Sequence, residues 1–354
     1  MERPAWKPPG TPAEELDPPA LVADLDVVDR NIAVMHGFFR DRPARLRPFV
    51  SAHRCPALAH RQLAAGGTAG GILVASLGEG ALFAQHGFHD ITILNPVVPA
   101  GKVRRLCVLS QSVAVTVNAD SETNVRDLSA AAVAGGAAIP VLVALRSGPD
   151  RFGVAPEAAL PLARVVAASP GLRFAGLSGY GGGEGPLAWF QEVLDARERI
   201  EKDGIPVPAI SLGNSRSYDI AGVLPGVTEV PAGAYLLSDV RHAGRFTPAA
   251  RVLTCVISRP EPGFALLNAG HKAMTGDTGL PQVAGPGMRI TRMSAEHGFL
   301  EIGPEREEET DLGGRLWAVP WDSAHCVNVY DYLHLVRDGR LHDVVPVTAR
   351  GFYR

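Results

Sequence analysis

Polar residues stand at the ends of eight apolar runs in this chain, and their types restrict the chemistry they could do. Ser51 and His53 close the first run, and Ser76, Asn95, Asn118, Arg146 with Arg151, Tyr180, the loop Gly213-Asn214-Ser215-Arg216-Ser217 and Tyr235 follow the others. Ser51 and His53 are two apart, so on an extended strand their side chains point the same way and a hydroxyl could pass its proton to an imidazole. The plainer reading of that pair is structural. Arg151 offers a guanidinium to an anion or a cofactor oxygen, or else makes a salt bridge at the rim. The small and hydroxylated residues Gly213, Asn214, Ser215 and Ser217 could hold a phosphate through backbone amides at a helix start. An ordinary strand-to-helix turn with a polar cap reads the same way.

The runs that must position these residues lie at 46–52, 72–76, 90–95, 113–118, 140–146, 174–180, 208–214 and 229–235. They are rich in Val, Ile and Leu and separated by segments with helical periodicity, which is the pattern of a parallel sheet with covering helices. Eight such units predict an α/β fold built on a (β/α)8 barrel, whose active site lies where the loops leaving the C-terminal strand ends converge. Val28, Ile32, Met35 and Phe39 share one helical face, with Asp26 before them as the expected cap. One strand-like segment at 20–26 is left over, and from about residue 241 the rhythm becomes mostly β. The expected domains are therefore a barrel over 27–240 and a β-rich domain built from 1–26 and 241–354.

Composition narrows the partners. The 354 residues carry 34 Lys and Arg against 37 Asp and Glu, with no basic block interleaved with aromatics, which argues against nucleic acid and anionic membranes and favours a small molecule. No apolar stretch approaches the roughly 18 residues of a membrane span, and the start is proline-rich rather than signal-like, so a cytoplasmic setting is expected. Cys55, Cys107, Cys255 and Cys326 are scattered without a C-x-x-C pair, which indicates reduced thiols rather than a zinc site or disulfides.

From about residue 20 onward the chain resembles, in order and with few gaps, the D-threonine aldolase and D-serine dehydratase family of pyridoxal-phosphate enzymes with an alanine-racemase-like fold. The matching stretches are ALVADLDVVDRNI at 20–32, CPALAHRQLAAG at 55–66, ASLGEGALFAQHGFHDITILNPVV at 75–98, RFGV at 151–154 and GVTEVPAGAY at 226–235. In the last third they are FTPAARVLTCVISRP at 246–260, LNAGHKAMTGDTGLP at 267–281, SAEHG at 294–298 and VNVYDYLHLVRDG at 327–339. The resemblance implies a barrel plus a β domain whose first strand comes from the N-terminus, and a homodimer. It also implies cofactor contacts from Arg151 and Tyr180, with a phosphate loop at Gly213, Asn214, Ser215 and Ser217.

The departures concentrate on the chemistry. Where the family reads R-P-H-x-K-T-H-K, with the first lysine as the Schiff-base residue, this chain reads Arg47-Pro48-Phe49-Val50-Ser51-Ala52-His53-Arg54. A serine cannot form an imine, so no Schiff base is expected at residue 51. Arg216 stands where the family has glycine and Pro231 where it has a polar residue. The family's metal pair, P-x-H-x-C or P-x-H-x-D, reads Pro320-Trp321-Asp322-Ser323-Ala324 here, leaving Asp322 and the nearby His325 as residual ligand candidates, with no metal expected. Three functions follow. The first is a lyase-type enzyme on a small polar amino-acid-like or carboxylate substrate, using Ser51, His53, Tyr180, Arg151 and Asp322 without a Schiff base. The second is a non-catalytic homologue that holds pyridoxal phosphate non-covalently, or another anion. The third is an aldolase or dehydratase that recruits Lys272 or a free cofactor.

Overall fold

The computed structural model describes residues 7–182 and 185–353, and the side chains of all of these except 308 and 309; the first six residues of the proline-rich start lie outside them. A strand, β1 (Ala20–Asp24), and a helix, α1 (Leu25–Phe39), precede the barrel. Its strands are β2 (Arg45–Pro48), β3 (Ile72–Val74), β4 (Asp90–Ile93), β5 (Ala114–Ala119), β6 (Ile139–Ala144), β7 (Leu172–Tyr180), β8 (Ala209–Gly213) and β9 (Glu229–Ala232). Between them lie α2 (Pro56–Ala64), α3 (Leu77–Gln85), α4 (Ala100–Leu109), α5 (Glu122–Gly135), α6 (Ala159–Ala168), α7 (Leu187–Lys202) and the short α8 (Tyr218–Ala221). The strands pair in the order β2-β9-β8-β7-β6-β5-β4-β3, all parallel. Isolated bridges Leu46–Thr68 and Phe49–Leu73 span the remaining gap, so the expected eight-stranded barrel is nearly closed. Strands buried on both faces explain why each run reads as continuously apolar rather than alternating.

Two local expectations change. Residues 46–52 are not one strand: β2 ends at Pro48, which has no amide to give the ladder, and Val50–Ala52 form a 3-10 turn. The same-side argument for Ser51 and His53, which required extended backbone, therefore does not hold. The cap of α1 is Asp24 rather than Asp26, since Asp24 Oδ1 accepts from the amides of Asp26 and Val27 at 3.0 and 3.1 Å. The predicted face of the helix is correct, with Val28, Ile32, Met35 and Phe39 all buried.

The second sheet has nine strands, continuing with β10 (Ala250–Glu261), β11 (Phe264–Leu267), β12 (Gln282–Val283), β13 (Met288–Met293), β14 (Gly298–Ile302), β15 (Arg315–Val319), β16 (Tyr332–Arg337) and β17 (Arg340–Pro346). The short helices α9 (His271–Met274) and α10 (Ser323–Val327) interrupt them. The leftover β1 runs antiparallel to β10 and parallel to β16, with Ala20 opposite Leu253 and Val22 opposite His334. Ala20, Val22, Leu253, Val336 and Leu341 pack there with Leu16. By compactness the chain forms two units, one running through Val34 and adding Ala52–Ala57 and Ala234–Arg350, the other comprising Met35–Ser51, Leu58–Gly233 and the residues from Gly351 on. In the second of these, Ser76 Oγ donates to the Phe352 carbonyl at 2.8 Å and Lys102 Nζ to that of Tyr353 at 3.3 Å. Among the described residues no helix is long and apolar enough to cross a membrane.

An ion triad ties barrel strands that are distant in sequence. Arg47 Nε lies 2.6 Å from Glu229 Oε2, and its Nη1 lies 3.3 Å from Asp90 Oδ1. Burial works against the guanidinium charge, but the two carboxylates outweigh it and hold the Arg47 pKa above its ordinary value. Gly71 leaves room for the triad, because a Cβ there would lie 2.4 Å from the Asp90 carboxyl and 2.6 Å from Arg47 Nη1 and would displace one of them. Removing Glu229 leaves the largely buried Arg47 charge with only the longer ion pair to the more exposed Asp90, so Glu229→Gln is expected to lower the unfolding free energy by about 3 kcal/mol in urea denaturation. A loss below about 1 kcal/mol, typical of an exposed pair, would contradict this.

Candidate functional site

The 3-10 turn after β2 is fixed by a buried carboxylate. Ser51, only 4% exposed, donates its hydroxyl to Glu79 Oε2 at 2.8 Å and accepts from the Ala75 amide at 2.7 Å. The same Glu79 oxygen accepts from the amides of Ala75 and Ser76 at 3.0 and 3.2 Å, while Ser76 Oγ accepts from the Glu79 amide. This reciprocal bonding is a capping box at the start of α3. Glu79 is 0% exposed. The Ser51 hydroxyl thus spends its proton on Glu79 and a lone pair on a backbone amide. His53 is also buried, and its Nδ1 accepts from the Cys55 amide at 3.2 Å.

At the C-terminal ends of the barrel strands lies a cavity of about 210 Å³, lined by Phe49, Ala75, Leu94, Asn95, Ala144, Leu145, Arg151, Phe152, Ser178 and Tyr180. It brings together three of the residues singled out from the sequence, Asn95, Arg151 and Tyr180. Arg151 has no ionic partner among the described residues. The Phe49 ring packs edge-on against Tyr180, with centroids 5.3 Å apart. Ser178 donates to Asn118 Oδ1 at 2.6 Å, and Asn118 Nδ2 donates to the Leu94 carbonyl at 2.8 Å. With its proton committed, Ser178 faces a ligand as an acceptor. The wall therefore has a donor cation at Arg151 and an acceptor at Ser178. A volume below the roughly 300–1,000 Å³ of pockets for drug-sized molecules limits the occupant to a small one.

The residues that the resemblance assigns to a pyridoxal-phosphate site do not fit that cofactor here. Position 51 has no amine. Of the lysines, Lys102 bonds the Tyr353 carbonyl, Lys202 pairs with Glu198, and Lys272 is 73% exposed with its Nζ 2.5 Å from Glu296 Oε1; none lines the cavity. Most of the donors of the loop at 213–217 are engaged within the loop or by Gly181. The Asn214 amide goes to Ser217 Oγ at 3.2 Å, the Arg216 amide to Asn214 Oδ1 at 2.8 Å, and the Ser217 amide to the Asn214 carbonyl at 3.2 Å. Asn214 Nδ2 and Ser217 Oγ both donate to the Gly181 carbonyl. Ser215 is buried. These bonds engage the amides of Asn214, Arg216 and Ser217, which a phosphate would compete for, and a helix as short as α8 adds little dipole.

The metal positions do not fit either. Asp322 Oδ1 caps α10 by accepting from the amides of Ala324 and His325 at 2.9 and 3.2 Å, and its Oδ2 lies 2.7 Å from Arg241 Nη2. His325 Nδ1 is 3.7 Å from Oδ2 on a half-exposed side chain. Ala324 supplies only a carbonyl, which accepts from Arg54 Nη1 at 2.8 Å. Among the described residues no group of three or more His, Cys, Asp or Glu could hold a metal ion. Tyr235, at the end of the last predicted strand, is buried against Phe246.

Sequence reasoning missed Glu79, Ser178 and Arg241. The first had a readable signal, the S-x-x-E spacing of Ser76 and Glu79 before an apolar run; the other two had none.

Comparison with known proteins places this geometry among relatives. The family described as "Alanine racemase, N-terminal domain" matches residues 23–238, and a serine dehydratase domain matches residues 249–336. A D-threonine aldolase of Arthrobacter sp. is 33% identical, over 98% of this chain and 96% of its own. The crystal structure of D-threonine aldolase from Filomicrobium marinum superposes with a TM-score of 0.91 at 33% identity, covering 98% of this chain and 99% of that one. That of D-threo-3-hydroxyaspartate dehydratase from Delftia sp. HT23 gives 0.86 at 26% identity, covering 95% and 98%.

The network at position 51 predicts a stability effect. Ser51→Ala is expected to cost about 1–2 kcal/mol, and Glu79→Ala more, because the latter takes the acceptor from both the Ser51 hydroxyl and the Ser76 amide. Urea denaturation of both variants measures this, and a Ser51→Ala protein as stable as wild type would remove the hydroxyl from the fold's supports.

Proposed function

Because the chain belongs to the family of D-threonine aldolases and D-serine dehydratases with the alanine-racemase-like barrel, we propose that it is a lyase-type enzyme acting on a small hydroxylated amino acid or carboxylate without a Schiff base at residue 51. The observation that carries this reading is the polarity of the cavity wall. Arg151, a cation without an ionic partner among the described residues, takes the substrate carboxylate. Ser178 accepts from a substrate hydroxyl or ammonium, since its own proton belongs to Asn118. Phe49 and Tyr180 form an apolar wall against the substrate's carbon skeleton, and the Tyr180 hydroxyl is the lining group suited to move the proton of a substrate hydroxyl. Ser51 and His53 support the turn rather than act as a nucleophile and its base. The homodimer and the cytoplasmic setting remain part of this reading.

A second reading rests on what the wall lacks. None of its ten residues is Lys, His, Asp or Glu, which suits a homologue that binds a carboxylate without turning it over. Covalent use of Lys272 has no comparable support, given its exposed pairing with Glu296.

Assays of the full chain with D-threonine and D-threo-3-hydroxyaspartate, following aldehyde and oxo-acid release, separate these readings. Turnover is expected without added pyridoxal phosphate and in the presence of hydroxylamine. Tyr180→Phe should lower kcat at least about 100-fold with little change in KM, and Arg151→Ala should raise KM about tenfold or more. Absence of turnover, with calorimetric carboxylate binding that Arg151→Ala weakens, would establish the second reading. A yellow protein that borohydride bleaches and Lys272→Ala leaves colourless would overturn both.

A further inference from the structure

Asp239 and Asp322 lie 83 positions apart in the chain, yet both direct an oxygen at one nitrogen. Arg241 Nη2 is 3.2 Å from Asp239 Oδ2 and 2.7 Å from Asp322 Oδ2. Asp239 is fully buried and is held by His242 Nδ1 at 2.6 Å on Oδ1, and by the Ser323 amide and hydroxyl at 3.0 and 3.3 Å on Oδ2. Asp322 is buried too, and its other oxygen is fixed by the two amides of α10. Neither carboxylate is free to swing away. Two anions converging in a poorly solvated place repel each other strongly unless a cation stands between them. Arg241 provides that charge, and its side chain is 34% exposed.

Two carboxylate oxygens fixed on a common point are hard donors of the kind a divalent ion takes, and Arg241 occupies that point. The resemblance puts the family's metal pair at residues 322 and 324, and Ala324 has no donor side chain. We propose that Arg241 has replaced the divalent cation, as a positioning residue whose guanidinium holds Asp322 against Asp239 and keeps metal out of the place between them. The charge is built into the chain and needs no loading. This inference concerns cation occupancy alone and stands whether the chain turns over a substrate or only binds one.

The test is a Mn²⁺ titration of the EDTA-treated full chain, followed by electron paramagnetic resonance. Wild-type protein is expected to show no saturable site involving Asp322. Arg241→Met, which keeps an apolar stem and removes the charge, should bind one equivalent at least about tenfold more tightly than wild type. Arg241→Met/Asp322→Asn should lose that gain, and Arg241→Lys, which keeps a cation, should not show it. Arg241→Gln serves in place of Arg241→Met if the latter fails to fold by circular dichroism. One equivalent of Mn²⁺ bound by wild type and lost in Asp322→Asn would overturn the proposal. So would a folded neutral variant with no gain in affinity.

Discussion

A carboxylate buried beyond the reach of water must find its hydrogen-bond donors within the fold, and Glu79 finds them in the turn after β2 and at the start of α3. Much of the barrel mouth depends on this. The bonds draw Ser51 out of the line of the strand, set the 3-10 geometry of Val50–Ala52 and tie Ala75, a lining residue of the cavity, to the same oxygen. A side chain at position 51 is therefore placed to support the backbone around the cavity. The loop at 213–217 follows the same logic, since Asn214 and Ser217 satisfy its amides from within.

The barrel itself was legible because eight strands buried on both faces leave apolar runs that periodicity detects, and the face of α1 was legible for the same reason. What periodicity could not show is where a strand stops. Pro48 ended β2 early, and with it the argument that put Ser51 and His53 on one side. Asp24 took the capping role expected of Asp26, because a cap depends on where the first helical turn begins, and helical spacing alone leaves that uncertain by a residue or two.

The lining of the cavity was legible only in part. Arg151, Tyr180 and Asn95 could be named from their positions, and the structure brings them into one cavity. Ser178 could not, because its role depends on a bond to Asn118, 60 residues earlier. The ion triad of Arg47, Glu229 and Asp90 and the grip of Arg241 on Asp322 are likewise pairings between distant segments. A single sequence supplies the charges but not the closure that brings them together. The resemblance to a known family drew attention to Ser51, Asn214 and Asp322; the bonds around them show what these side chains hold in place.

The two compact units interleave along the chain. The barrel unit opens with Met35 and includes the residues from Gly351 on, whose carbonyls are held by Ser76 and Lys102, while the β unit draws on both the start of the chain and the segment from Ala234. Domains made during synthesis usually fold as they emerge, the N-terminal one first. Here the β unit departs from that order. β1 must wait for β10 and β16, so both its edges stay unpaired while the whole of the intervening barrel is made.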